Sequence, residues 1–212
     1  MAERESPLEQ LVAAVRTRAR YRHVNVAFVR RVGAEIMARH ASSRERLPIL
    51  DEFYGTIFRE LPPVRTLLDL GCGLNPLALP WMPLAAEAEY CACDVYEDLV
   101  DFVREFLALV GVRGRAWVCD VLGDYPSERV DLALVLKLVP CLEQVDRSAG
   151  RRLLDGLNAE HLLVSFPVRS LCGVRKGMPA TYEAHFRELV EGRGWRVRRF
   201  AFASELAFLV SK

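Results

Sequence analysis

Asp69 opens the run Asp69-Leu70-Gly71-Cys72-Gly73, and Asp94 and Asp120 each close a short apolar stretch further along. Glycines at 71 and 73 permit a tight turn and let a ligand approach the backbone with no Cβ in the way. An acidic side chain about twenty residues after such a turn can accept from both hydroxyls of a ribose. Asp120 can accept from an adenine amino group. Asp69, before the glycines, suits the ammonium of an amino-acid moiety better than a pyrophosphate. Any one of these aspartates could instead cap a strand or start a turn. It is the coincidence of three with a glycine turn that points to a nucleoside-bearing ligand. A dinucleotide fingerprint, G-x-G-x-x-G, would need a third glycine where Pro76 stands, and proline offers neither its N–H nor its compactness there.

These residues need a sheet to hold them. Strands are expected at 65–70, 89–94, 115–119, 130–136, 161–166, 195–203 and 206–210. Helices are expected near 76–86, 96–110, 147–158 and 179–191, the first from Asn75-Pro76 as a cap followed by proline at the first helical position. Alternating strands and helices imply a mostly parallel sheet covered on both faces. The last two strands are too tightly joined for a parallel crossover, so they must be antiparallel. Asp69, Asp94 and Asp120 then sit at the carboxyl ends of successive strands, the edge where open α/β sheets bind ligands. Ahead of the sheet, residues 8–60 read as helical. Leu8, Leu11, Val12 and Val15 recur at helical spacing, a second helix runs from 25 to 40, and a third starts at a Ser42 or Ser43 cap and ends at Pro62-Pro63.

With 212 residues, 51% of them hydrophobic and 27% charged, the chain suits one main domain with a small appendage. The net charge of +1 hides an asymmetry: residues 1–46 carry ten basic and five acidic side chains. A basic arm on a mildly acidic body suits an anionic partner. Six cysteines form no C-x-x-C pair and no zinc-spaced cluster with histidine, so no metal is expected and a reducing, cytoplasmic setting is. The start has no signal-peptide core, and the apolar stretch near 130–142, broken by Lys137 and Pro140, is too short for a bilayer. The four histidines stand in no acid–base constellation, and no catalytic residue is assigned.

Beyond the fourth strand, Leu136-Lys137-Leu138-Val139-Pro140-Cys141-Leu142-Glu143-Gln144 lacks the Asn/Asp-Pro-Pro-aromatic segment frequent in amine methylation. Together with Ser42-Ser43-Arg44-Glu45-Arg46-Leu47, the glycine turn through Pro76, Ser165-Phe166-Pro167-Val168-Arg169-Ser170-Leu171, Gly177-Met178 and Tyr182, it resembles the 16S ribosomal RNA guanine-N7 methyltransferases of aminoglycoside resistance. The likeness covers roughly residues 41–212. It implies a Rossmann-like class I methyltransferase with a seven-stranded, mostly parallel sheet, one antiparallel strand and a short N-terminal helical region. The cofactor would be S-adenosylmethionine and the partner 16S RNA within the small subunit.

The resemblance also implies roles. Arg44 would reach the methionine carboxylate, since a guanidinium suits that bidentate task. Asp69, Gly71, Cys72 and Gly73 would line the methionine part, Asp94 would hold the ribose, and Asp120 with Val121 would frame the adenine. Lys137 and Leu138 would flank the ligand at the pocket mouth. Residues 1–60 would dock RNA and 61–212 would carry the methyltransferase domain. Arg16, Arg18, Arg20 and Arg22 would grip phosphates, as would Arg169, Arg175 and Lys176 after the fifth strand, and Arg198 in a second basic group with Arg193, Arg196 and Arg199. Two departures stand out: about forty residues precede Ser42, fewer than the family carries, and Cys172 replaces a usual glycine. A methyltransferase for another RNA or a small molecule, and a non-catalytic RNA-binding relative, are the other readings.

Overall fold

The structure, a computed structural model, describes residues 26–168 and 178–212. It opens on α1 (Val26–Met37), whose Val29, Ile36 and Met37 are buried and whose Gly33 lets the helix lie against Leu77. The single helix expected from 42 to 61 is three pieces: α2 (Ala41–Arg46), a 3-10 turn (Leu47–Ile49) and α3 (Leu50–Phe58). Pro48, within the first turn of the 3-10 segment, has no N–H to extend the preceding helix. Asp51 and Glu52 favour the start of α3 by complementing its dipole.

Seven strands follow: β1 (Thr66–Leu70), β2 (Glu89–Asp94), β3 (Arg113–Val118), β4 (Val130–Leu136), β5 (Ala159–Pro167), β6 (Arg196–Ala201) and β7 (Glu205–Ser211). They form one sheet in the order β3-β2-β1-β4-β5-β7-β6. All are parallel except β7, which runs antiparallel to both neighbours, its Leu209 opposite Leu163 on one side and Arg198 on the other. The expected closing antiparallel strand therefore lies inside the sheet, with β6 on the edge. The helices between strands are α4 (Glu97–Val110), α5 (Val139–Glu143), α6 (Ala149–Gly156) and α7 (Met178–Val190). α4 ends at Gly111, which takes the left-handed conformation that glycine adopts without cost.

The segment expected as a helix at 76–86 is a 3-10 helix over Asn75–Trp81, with Pro76 in its first turn and Pro80 inside it. Pro76 suits a first helical turn, but Pro80 removes a donor that an α-helix continuing to 86 would need. The short α5, led in by Pro140, falls where the sequence pattern predicts no helix.

Apolar layers cover both faces. α1, α3, α4 and the 3-10 helix bury Phe53, Ile57, Leu77 and Phe106 against one side. α5 to α7 cover the other, where Phe186 stacks on Phe208 with ring centroids 4.1 Å apart. Side chains alternate along β1, so Leu67 joins the first layer and Leu68 and Leu70 the second. Asp69 thus faces the α1–α3 side. The strand order reverses between β1 and β4, and their carboxyl ends open a crevice at that switch point. Among the described residues, no helix is long and apolar enough to cross a membrane.

Candidate functional site

A cavity of about 490 Å³ occupies the crevice. Its walls come from the turn after β1, the ends of β2 and β4, the loop after β3, and α2. Asp69, Gly71, Cys72, Gly73, Asp94, Asp120, Val121, Lys137 and Leu138 all line it, as do Ser43, Asn75 and Arg46.

Both turn glycines are left-handed, Gly71 at φ 57° and Gly73 at φ 49°. A Cβ at Gly71 would lie 2.8 Å from Leu138 Cδ1, so glycine lets β1 and β4 close together here. A Cβ at Gly73 would have only His40 Cε1 nearby, at 3.9 Å, and would project into open space. The Gly73 N–H donates to Asp94 Oδ2 at 2.9 Å, while Val95 and Tyr96 N–H donate to Oδ1 at 2.8 and 3.3 Å. These bonds fix the Asp94 carboxylate and leave it lone pairs for a ligand. Asp120 is exposed and accepts from Leu122 N–H at 3.0 Å.

Asp69 is 1% exposed. Its Oδ2 accepts both the Tyr90 hydroxyl, at 2.5 Å, and Asn75 Nδ2, at 2.9 Å. Burial pushes its carboxyl up to about 7, against the pull of those two bonds and of Arg46. The Tyr90 phenol is driven upward by burial and by Asp69.

Arg44 is exposed and outside the cavity wall; Arg46 is the buried arginine. Three-residue helical spacing puts Ser43 and Arg46 on the inner face of α2 and turns Arg44 outward. Arg46 donates to both oxygens of Glu205, at 2.7 and 2.9 Å, and to Asn75 Oδ1 at 2.9 Å, which also takes the Tyr54 hydroxyl at 2.6 Å. Burial works against its charge, but Glu205, with Tyr54 and Asp69 beside it, raises its pKa overall. Lys137 is also buried, and its backbone takes a positive φ, the only described non-glycine residue to do so. That left-handed conformation brings Cβ close to the following carbonyl oxygen and is strained for any residue with a side chain. A polar network thus ties Lys137, Glu205, Arg46, Asn75, Asp69 and Tyr90 together beneath the cavity. Helical phase is the sequence signal for Arg46; Glu205 and Tyr90 have none.

Arg198 is exposed on the edge strand β6, three strands beyond β4 and so well away from the cavity. It pairs with Glu60, Arg199 with Glu183 and Arg193 with Asp155, so acidic partners break up the expected basic group. Arg16, Arg18, Arg20, Arg22, Arg169, Arg175 and Lys176 lie outside the described residues. Among those described, no group of acidic, cysteine or histidine side chains could hold a metal.

A mostly parallel seven-stranded sheet with β7 reversed, and a glycine-and-carboxylate cavity at its switch point, is the Rossmann-like class I methyltransferase architecture. The chain belongs to the FmrO family of ribosomal RNA methyltransferases, whose model matches residues 8–209. It is 43% identical over 176 residues to a 16S rRNA (guanine(1405)-N(7))-methyltransferase of Micromonospora rosea, covering 83% of this chain and 64% of the relative. It is 38% identical over 178 residues to the enzyme of that name from Serratia marcescens, covering 82% and 67%. The chain thus spans just under two thirds of the Micromonospora relative's length. The crystal structure of the 16S rRNA methyltransferase RmtF with S-adenosyl-L-homocysteine superposes with a TM-score of 0.75 at 32% identity, over 96% of this chain and 76% of that one.

Proposed function

We propose that this chain transfers a methyl group from S-adenosylmethionine to N7 of a guanine in 16S RNA of the small ribosomal subunit, in the cytoplasm, giving aminoglycoside resistance. The observation that carries the reading is the Asp69, Gly71, Gly73, Asp94 and Asp120 cavity in a member of this family. Position 1405, which the relatives' names carry, is the expected target.

The residues fit the cofactor. The cavity has the size of small-ligand sites. The open space at Gly73 would admit the methionine chain, Asp69 has an oxygen beyond its two hydrogen bonds for an ammonium, and Arg46, in place of Arg44, meets the carboxylate. Asp94 takes the ribose hydroxyls, and Asp120 and Val121 frame the adenine. S-adenosylmethionine supplies an electrophilic methyl group when bound. Guanine N7 has a lone pair and no proton, so no side chain must act as general base. The protein's task is alignment and exclusion of water, worth up to about 7–11 kcal/mol in favourable cases. Residues 1–60 dock the RNA and 61–212 form the catalytic unit. Arg16, Arg18, Arg20, Arg22, Arg169, Arg175, Lys176 and Arg198 contribute phosphate contacts.

The test incubates purified protein, small subunits and labelled cofactor at low and physiological salt, then detects N7-methylguanine by borohydride–aniline cleavage. The expected result is one cleavage site in the decoding region, its yield falling as salt rises. A modified adenine, or methylation of free RNA but not of subunits, would overturn the proposal.

A further inference from the structure

Lys137 stands on the cavity wall, yet its amine is committed elsewhere. Nζ donates to Glu45 Oε2 at 2.7 Å and to the Ser42 carbonyl at 3.2 Å, and Glu205 Oε2 stands 3.7 Å away. An ammonium has three donors, so these acceptors leave little for a ligand. Ser42 and Glu45 belong to α2, the segment that presents Ser43 and Arg46 to the cavity. Glu205 comes from β7, and Arg46 donates to both of its carboxylate oxygens. The Lys137 N–H is held by Ser165, at 3.0 Å to the carbonyl and 3.1 Å to the hydroxyl. The strained backbone therefore sends the side chain from the end of β4 across to α2. This polar bridge, together with the Arg46–Glu205 pair, links the short helix directly to the ends of β4 and β7.

We infer that Lys137 is a positioning residue whose ammonium clamps α2, and with it Arg46 and Ser43, against the sheet edge, and that it fixes the cofactor cavity's wall without touching the ligand. Its consequence for ligand binding rests on the cofactor reading above; the clamp itself does not.

Two variants separate the clamp from a direct ligand contact. Lys137→Gly removes the amine while the backbone keeps its turn without strain. Glu45→Ala removes the partner on α2, and Glu45 does not line the cavity. Without ligand, hydrogen exchange of amides 42–46 should rise in both variants. By calorimetry, each should weaken S-adenosylhomocysteine about tenfold, the scale of one charge-assisted hydrogen bond. The double variant should be no weaker than Lys137→Gly alone, because both changes release one contact. Unchanged exchange in both variants would overturn the clamp. Weakened binding in Lys137→Gly with normal binding in Glu45→Ala would make Lys137 a ligand contact and also overturn it. A wild type that binds no S-adenosylhomocysteine would sink the cofactor reading, while the exchange comparison would still decide the clamp.

Discussion

Asp69→Asn should make the protein more stable and less able to bind its cofactor. Both hydrogen bonds to Asp69 land on Oδ2, so an asparagine carbonyl in that place can accept from Tyr90 and Asn75 alike. What the substitution removes is a buried charge. The carboxyl titrates at about 7 in the folded protein against an ordinary 3.8. Between those values the folded chain holds the proton and the unfolded chain does not. Folding therefore takes up a proton, and stability falls as pH rises through that window, by up to about 1.4 kcal/mol per unit. Above about 7 the penalty levels off near roughly 4 kcal/mol, an upper figure for a relaxed site. Urea unfolding of both proteins from pH 5 to 8 measures it. The advantage of Asp69→Asn should widen by about 1 kcal/mol per unit up to pH 7 and then flatten. Calorimetry at pH 8 should show S-adenosylhomocysteine binding lost, since the new amide turns its N–H groups toward the ligand's ammonium. Parallel pH curves for the two proteins, or a less stable variant at pH 8, would refute the argument.

Asp94→Ala should weaken the same ligand by about 1–3 kcal/mol, and calorimetry would detect equal binding if Asp94 were outside the site. Arg46→Met should cost about 3–5 kcal/mol in urea unfolding, because Glu205 is left buried with its bidentate partner gone; Arg44→Ala should change neither stability nor binding measurably. Replacing Arg175 and Lys176 by alanine should flatten the salt dependence of RNA binding and leave cofactor affinity intact, as filter binding across a salt series would report.

The inner strands are legible because they are short apolar runs bounded by turn residues, and the reversed strand because too few residues join β6 to β7 for a crossover. Asp94 and Asp120 fall on the sheet's binding edge for the same reason. Elements shaped by proline mislead: the apolar spacing after Asn75 suits an α-helix, but Pro80, inside it, withdraws a donor. Likeness to the family favours Arg44, while the phase of α2 alone favours Arg46. The polar floor is harder to see. Tyr54, Asn75, Tyr90 and Glu205 lie far apart in sequence and meet only through tertiary packing. No local spacing separates a buried glutamate such as Glu205 from the many exposed ones.

The contact between Arg46 and Glu205 spans 159 residues. Glu205 reaches it only once β7 has slid between β5 and β6, so the strand last in chain order is interior to the sheet. Such distant pairings form late, after most of the loop-closure entropy has been spent. Before that moment the parallel strands and their helices can already be in place, yet Arg46 would lack its bidentate counter-ion and keep only Asn75 as a partner. Helical signal during refolding should therefore run ahead of the capacity to bind S-adenosylhomocysteine, and a chain interrupted before Glu205 would carry every carboxylate of the crevice while lacking the anchor beneath it.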